Sequence, residues 1–157
     1  MNSIPVITKV DPASPAARTM MEELWEEIQT RYDFKAPNPF DPVSFAGTRA
    51  GFWIAFANND PVGSIAIVPL SEHEAELDIM YVVPSFRGLG IAKELMTALE
   101  QHAKENDFTI IKLRSGAPQP EALRFYEKMG FTQITAFGKW MNDDTAICFE
   151  KKLLQVL

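Results

Sequence analysis

Val82-Val83-Pro84-Ser85-Phe86-Arg87-Gly88-Leu89-Gly90-Ile91-Ala92 is the stretch on which the fold turns. An apolar run ends at Val83, and Pro84, Gly88 and Gly90 break it. Ile91, Leu95, Leu99 and Ala103 then repeat at i+4, the buried stripe of a helix running to about Glu105. The stretch is therefore a strand, a tight turn and a helix start. The first amides of a helix have no intrahelical partner, and its dipole adds partial positive charge there. A pyrophosphate fits such a junction. Gly88 and Gly90 lack a Cβ and Ala92 is small, so backbone can approach phosphate closely, and Arg87 and Lys93 add local positive charge. Two nucleotide motifs fail here. The P-loop spacing is absent, and the third glycine of the dinucleotide fingerprint is replaced by Lys93.

Working outward, Glu74 to Val83 reads as a strand. Its odd members (Ala75, Leu77, Ile79, Tyr81, Val83) are expected to share a core face, and Glu74, Glu76, Asp78, Met80 and Val82 the other. Phe52 to Ala57 and Val62 to Val68 flank Asn58-Asn59-Asp60-Pro61, a hairpin signal. Residues 33 to 51 hold three prolines and two glycines and form a loop, a candidate for the substrate side. Upstream, Ser14-Pro15 starts a helix to about Tyr32 with Met20, Leu24, Trp25 and Ile28 as its apolar stripe, and Glu22, Glu23, Glu26 and Glu27 mostly outward. Pro5 to Val10 is a first strand. Downstream, Phe108 to Leu113 is a strand rich in β-branched residues. Pro118 and Pro120 introduce a helix with Ala122, Phe125, Tyr126 and Met129 on one face, stopped by Gly130. Thr132 to Phe137 and Thr145 to Leu153 are the last strands. The order predicts an α/β fold, a mixed sheet with helices packed on it.

The chain has 157 residues, 46% of them hydrophobic and 23% charged, which suits one folded domain over 1–157 rather than a disordered segment. Fifteen basic against twenty-one acidic residues give a net charge of −6. That balance argues against nucleic acid and anionic membranes as partners. One cysteine excludes an internal disulfide, and with two histidines it cannot build a Cys/His zinc cage, so no metal is expected. No apolar stretch approaches the roughly 20 residues of a membrane span. Met1 to Val10 has no basic leader with an apolar run. The expectation is a cytoplasmic protein.

Arg87-Gly88-Leu89-Gly90-Ile91-Ala92 resembles the Arg/Gln-x-x-Gly-x-Gly/Ala motif of the GCN5-related N-acetyltransferase (GNAT) superfamily. Glu76 to Pro84 is similar to that family's fourth strand, and Ala122 to Phe131 to its later helix ending in Tyr-x-x-x-Gly-Phe. The resemblance covers about residues 52 to 153. It implies the acyl-CoA N-acyltransferase fold, a central, twisted, mostly antiparallel sheet flanked by helices. It also implies acetyl-CoA as cosubstrate. A bulge would splay the fourth strand from the fifth, leaving backbone groups of Met80, Val82 and Val83 for the pantetheine arm. The pyrophosphate would lie on the amides of Arg87, Gly88, Leu89, Gly90, Ile91 and Ala92. Gln119 departs from the family, where many members carry Asn.

The implied reaction is acetyl transfer to a primary amine in a ternary complex, with a small-molecule acceptor expected. A protein lysine or N-terminal acceptor is the alternative, and a non-catalytic acyl-CoA sensor the rival outside enzymes. The resemblance implies Tyr126 as proton donor to the departing thiolate and Glu76 as base, with Asp78 its nearest rival. A carboxylate at its ordinary pKa of about 4.3 is a weak base for an ammonium. His73 and His102 read as exposed and partly exposed, and Cys148 as a small buried hydrophobe. A homodimer is possible in such a family, with the apolar last strand at an edge.

Overall fold

The computed structural model describes residues 5–154. The reading of the extreme N-terminus as leaderless falls partly outside them. The elements are β1 (Val6–Lys9), α1 (Pro15–Tyr32), β2 (Gly51–Ala57), β3 (Asp60–Pro69), β4 (Glu74–Val82), α2 (Ile91–Glu105), β5 (Ile110–Gly116), α3 (Pro120–Lys128), β6 (Thr132–Ile134) and β7 (Ala146–Lys152). The strands form one sheet in the order β1-β2-β3-β4-β5-β7-β6. Every pairing is antiparallel except β4 with β5. Among the described residues no helix is long and apolar enough to cross a membrane.

Alternation along β2 feeds two cores. Phe52 and Ile54 meet Ala17, Met20, Met21 and Leu24 of α1, while Trp53 and Ala55 meet Ile91, Leu95, Met96 and Leu99 of α2. Each helix thus buries one stripe on one face of the sheet. The Ser14 hydroxyl caps α1 by accepting from the Ala17 amide, and Asp33 stops it in the left-handed region. Asn58 and Asn59, both at positive φ, make the β2–β3 hairpin turn.

The strict parity expected for β4 is broken. Ala75 and Leu77 pack with α2, but Ile79 and Tyr81 pack with α1. The register explains it. Between the pairs Ser64↔Tyr81 and Ala66↔Asp78, β4 spends one residue more than β3. The extra residue is a bulge, and Ile79 takes φ 54. A β-branched residue in that region is strained, and the surroundings must hold it there. Ser64, fully buried, donates its hydroxyl to the Ile79 carbonyl at 2.7 Å. Ser64→Ala is expected to cost about 1–3 kcal/mol by leaving that carbonyl unpaired. Chemical denaturation measures it, and an unchanged midpoint would show that the bulge holds without Ser64.

The bulge marks where two strands part. β4 pairs with β5 only from Glu74↔Ile110 to Glu76↔Lys112. Beyond that, β5 continues with β7 as far as Gly116↔Ala146. A wedge therefore opens between Leu77–Val82 and the end of β5, and α3 lies across its β5 side.

Several boundaries differ from expectation. Phe108 belongs to the end of α2, not to a strand: its amide bonds the Ala103 carbonyl at 3.0 Å and Arg49 stacks on its ring at 4.1 Å. β5 therefore begins at Ile110. β6 stops at Ile134, because the chain turns away into a 3-10 turn at Gly138–Trp140. β7 lies between β5 and β6 rather than at an edge, so it offers no free edge to a second copy. Residues 33–51 contain a further 3-10 turn, Pro42–Phe45, which buries Phe45 against Phe52. His102 is buried, not partly exposed, with Nε2 3.0 Å from the Arg49 carbonyl.

Candidate active site

The wedge opens into a cavity of about 460 Å³. Met80, Tyr81 and Val82 form one wall, Arg87, Gly88 and Gly90 with the first residues of α2 another, and Ala122, Phe125 and Tyr126 of α3 with the following Met129 a third. Of the residues expected to hold a cofactor, Met80, Val82, Arg87, Gly88, Gly90, Ile91 and Ala92 line this one space, together with Tyr126. Val83, Leu89 and Glu76 are not on its walls.

The strand wall has the free backbone that an added strand needs. The Val83 amide donates to the Val62 carbonyl at 2.9 Å, and the Val83 carbonyl accepts from Phe86 at 2.8 Å. Both polar groups of Val83 therefore already have a partner within the fold. Antiparallel alternation then turns the Val82 backbone away from β3 and towards the wedge, where its carbonyl accepts from Arg87 Nε at 2.8 Å and its amide faces the open space.

The helix wall has free donors. The first intrahelical bond of α2 runs from Glu94 N to Gly90 O at 3.2 Å, so the amides of Ile91, Ala92 and Lys93 open the helix unpaired. Gly90 caps it at φ 86 and supplies no side-chain bond. A Cβ built at Gly88 or Gly90 would meet nothing within 4 Å, so these backbones border open space. The Arg87 amide, by contrast, is taken by the Pro84 carbonyl at 3.2 Å. Its guanidinium donates to the Val82 carbonyl at 2.8 Å and to Glu27 at 2.6 Å. Glu27 is thus not part of a solvated glutamate face, because it crosses from α1 to meet Arg87. Arg31 continues the chain of charge to Glu121 at 2.9 Å.

Tyr126 is buried, its ring packed on Phe125, Phe131 and Phe149. Burial, and then the Asp78 charge, push its phenol above the ordinary value, so it keeps its proton. Asp78 is itself raised well above the ordinary carboxyl range, by burial first and then by the neighbouring Glu76 carboxyl. Glu76 is buried, and its Oε1 accepts from Trp140 Nε1 at 3.1 Å while Lys139 Nζ stands 4.0 Å from Oε2. Arg114 braces that turn. It stacks on the rings of Trp140 and Tyr32, and bonds Asp143 at 2.9 Å. Tyr32 accepts from Arg114 and donates to Gln119 Oε1 at 2.8 Å, which occupies the amide oxygen of the departing residue.

Lys139 and Trp140 carried no sequence signal. They lie in a short polar turn without periodicity, and only the folding of β6 and β7 carries them to β4. Cys148 is buried as expected, and burial raises its thiol, so it holds no thiolate to attack with.

Comparison with known proteins agrees with this geometry. The sequence model of the acetyltransferase (GNAT) family matches residues 17–131. An uncharacterized N-acetyltransferase of Methanocaldococcus jannaschii is 31% identical over 98 residues, 59% of this chain and 43% of that protein. The chain spans about half the length of the first curated relatives it matches. In fold it is similar to an acetyltransferase of Streptococcus agalactiae (TM-score 0.81, 24% identity, 95% of this chain and 98% of that one). It is also similar to a GNAT family acetyltransferase of Elizabethkingia anophelis with acetyl-CoA bound (TM-score 0.68, 16% identity, 95% and 98%). With the splayed strands, the unpaired α2 amides and the family match over most of its length, the chain belongs to the acetyltransferase (GNAT) family.

Proposed function

We propose that the protein moves an acetyl group from acetyl-CoA to a primary amine, by direct attack in a ternary complex, with a small molecule as acceptor. The observation that carries this reading is one continuous space bounded by the stretch of β4 that has parted from β5, the free amides of α2 and the Tyr126 ring. The residues fit the cosubstrate. Met80 and the Val82 amide offer strand-type bonds to its pantetheine arm, the Val82 carbonyl being held by Arg87, and Ile91, Ala92 and Lys93 offer amides to its diphosphate. With Arg87 paired to Glu27 and Arg31 to Glu121, Lys93 and Lys128 leave the walls positive despite the chain's negative charge. Bound there, acetyl-CoA supplies an activated acetyl thioester.

The chain's own part is positioning and proton handling. Tyr126 holds a proton at its hydroxyl and offers it as a hydrogen bond to the departing sulfur. Even at reference values, full transfer from phenol to thiolate is uphill by roughly 2 kcal/mol. The raised phenol makes it steeper, so the role is hydrogen bonding late in the reaction rather than complete transfer. The acidic pair on β4, with Glu76 the expected base, takes the proton that the amine loses.

Calorimetry with acetyl-CoA, followed by thiol release over an amine panel, tests the reading. The expected result is binding with release for at least one small amine. Binding without release for any acceptor would identify a sensor instead.

A further inference from the structure

The Arg87 side chain joins the α2 turn to two other elements. Its Nε donates to the Val82 carbonyl of β4 at 2.8 Å, and a terminal nitrogen donates to Glu27 of α1 at 2.6 Å. The guanidinium also lies near the Tyr81 ring, 5.7 Å from its centroid. Glu27, Tyr81, Val82 and Arg87 all line the cavity. The Val82 carbonyl sits on the stretch of β4 that has parted from β5, where an added strand would find its acceptors. Arg87 already holds it. Glu27 has a second cation beside it, Arg31 Nε at 3.7 Å, so its charge stays compensated when Arg87 departs. The Arg87–Glu27 pair is only part-buried, with side chains 38% and 23% exposed, and a pair so placed is weak enough to open.

We propose that Glu27 is a positioning residue for the coenzyme site: its ion pair keeps Arg87 on the Val82 carbonyl in the ligand-free protein, and coenzyme binding opens that pair. The inference rests on the reading that the wedge takes acetyl-CoA, and goes beyond it by giving α1 a part in setting the affinity. Opening has two consequences. The Val82 carbonyl becomes available to an amide N–H of the pantetheine arm. The guanidinium, released from its carboxylate, becomes a free cation on the same wall as the unpaired Ile91, Ala92 and Lys93 amides. The two halves of the coenzyme therefore respond to Arg87 with opposite signs. To the neutral arm it is a competitor, and to the diphosphate it is an attracting charge. Glu27 sets the balance, because the stability that the closed pair gives the ligand-free state is lost when the coenzyme enters.

The test uses two probes on the full chain, acetyl-CoA and S-acetylpantetheine, which keeps the arm and the thioester but has no diphosphate. Binding of each is followed by NMR titration, and thermal unfolding verifies that each variant is folded. Glu27→Gln is expected to tighten S-acetylpantetheine about fivefold, the fold-change of a part-exposed ion pair. Removing a negative charge from the wall would by itself favour only the anionic acetyl-CoA, so tightening confined to acetyl-CoA would overturn the proposal. Arg87→Met is expected to tighten S-acetylpantetheine and weaken acetyl-CoA. A merely structural role for Arg87 would move both in the same direction. In the unsubstituted protein, nuclear Overhauser contacts between the Arg87 Nε proton and the Glu27 methylenes are expected without ligand and lost at saturation with acetyl-CoA. Saturation with those contacts intact would overturn this inference alone. Failure of the unsubstituted protein to bind acetyl-CoA would overturn the coenzyme reading with it.

Discussion

Tyr126→Phe is expected to lower kcat at least about tenfold, with the acetyl-CoA KM little changed. The substitution removes one oxygen and keeps the ring, which packs on Phe125, Phe131 and Phe149. Packing is preserved, so the coenzyme pocket keeps its shape. What disappears is the hydrogen bond to the departing sulfur, an interaction that matters only as charge develops there. That is the pattern of a kcat loss without a KM change. Because burial and Asp78 raise the phenol above 10.0, ionisation of Tyr126 is not expected to cause any loss of activity as the medium is made alkaline up to that pH. Steady-state kinetics decides the matter. An unchanged kcat would reduce Tyr126 to a packing residue.

Gly90→Glu is expected to abolish coenzyme binding while leaving the protein folded. The fold cost is bounded. Gly90 sits at φ 86, where a side chain costs about 1–2 kcal/mol. The new side chain meets open space, and a carboxylate at a helix N-terminus is electrostatically welcome. That same attraction is the reason binding fails, since the carboxylate competes with the diphosphate for the amides of Ile91, Ala92 and Lys93. Gly90→Ala separates the effects. It carries the same backbone strain without the charge, so it should lose stability and keep measurable binding. Calorimetry on both, alongside thermal unfolding, reads the difference. A folded Gly90→Glu that binds acetyl-CoA normally would remove the diphosphate from α2.

Periodicity and turn chemistry made most of the fold legible. The i+4 stripe Ile91, Leu95, Leu99, Ala103 is buried along α2, Ser14 and Pro15 open α1, and Gly130 at φ 95 closes the segment after α3. The seven strands were all anticipated, with ends off where long-range contacts decide. Phe108 was drawn to the α2 terminus by Arg49, a residue far away in sequence. The β4 parity failed for a local reason with no local signal. Nothing in Ile79 announces a left-handed backbone, which is imposed by the β3 register and held by Ser64. The helix wall proposed for the diphosphate was legible as a glycine-rich helix start because such residues act through backbone, which sequence spacing encodes. The proton machinery was legible only in part. Glu76 and Asp78 are neighbours on one strand and stood out. Their surroundings depend on the bulge and on Trp140, Lys139 and Arg114, which tertiary folding delivers.

The central claim is that the wedge between β4 and β5 holds the coenzyme with its diphosphate on the start of α2. A crystal structure grown with acetyl-CoA tests it most directly. The account predicts diphosphate oxygens within hydrogen-bond distance of the Ile91, Ala92 and Lys93 amides, the pantetheine arm along Met80 and Val82, and the thioester sulfur beside the Tyr126 hydroxyl. A coenzyme bound with its diphosphate away from those amides, or its arm outside the wedge, would contradict it.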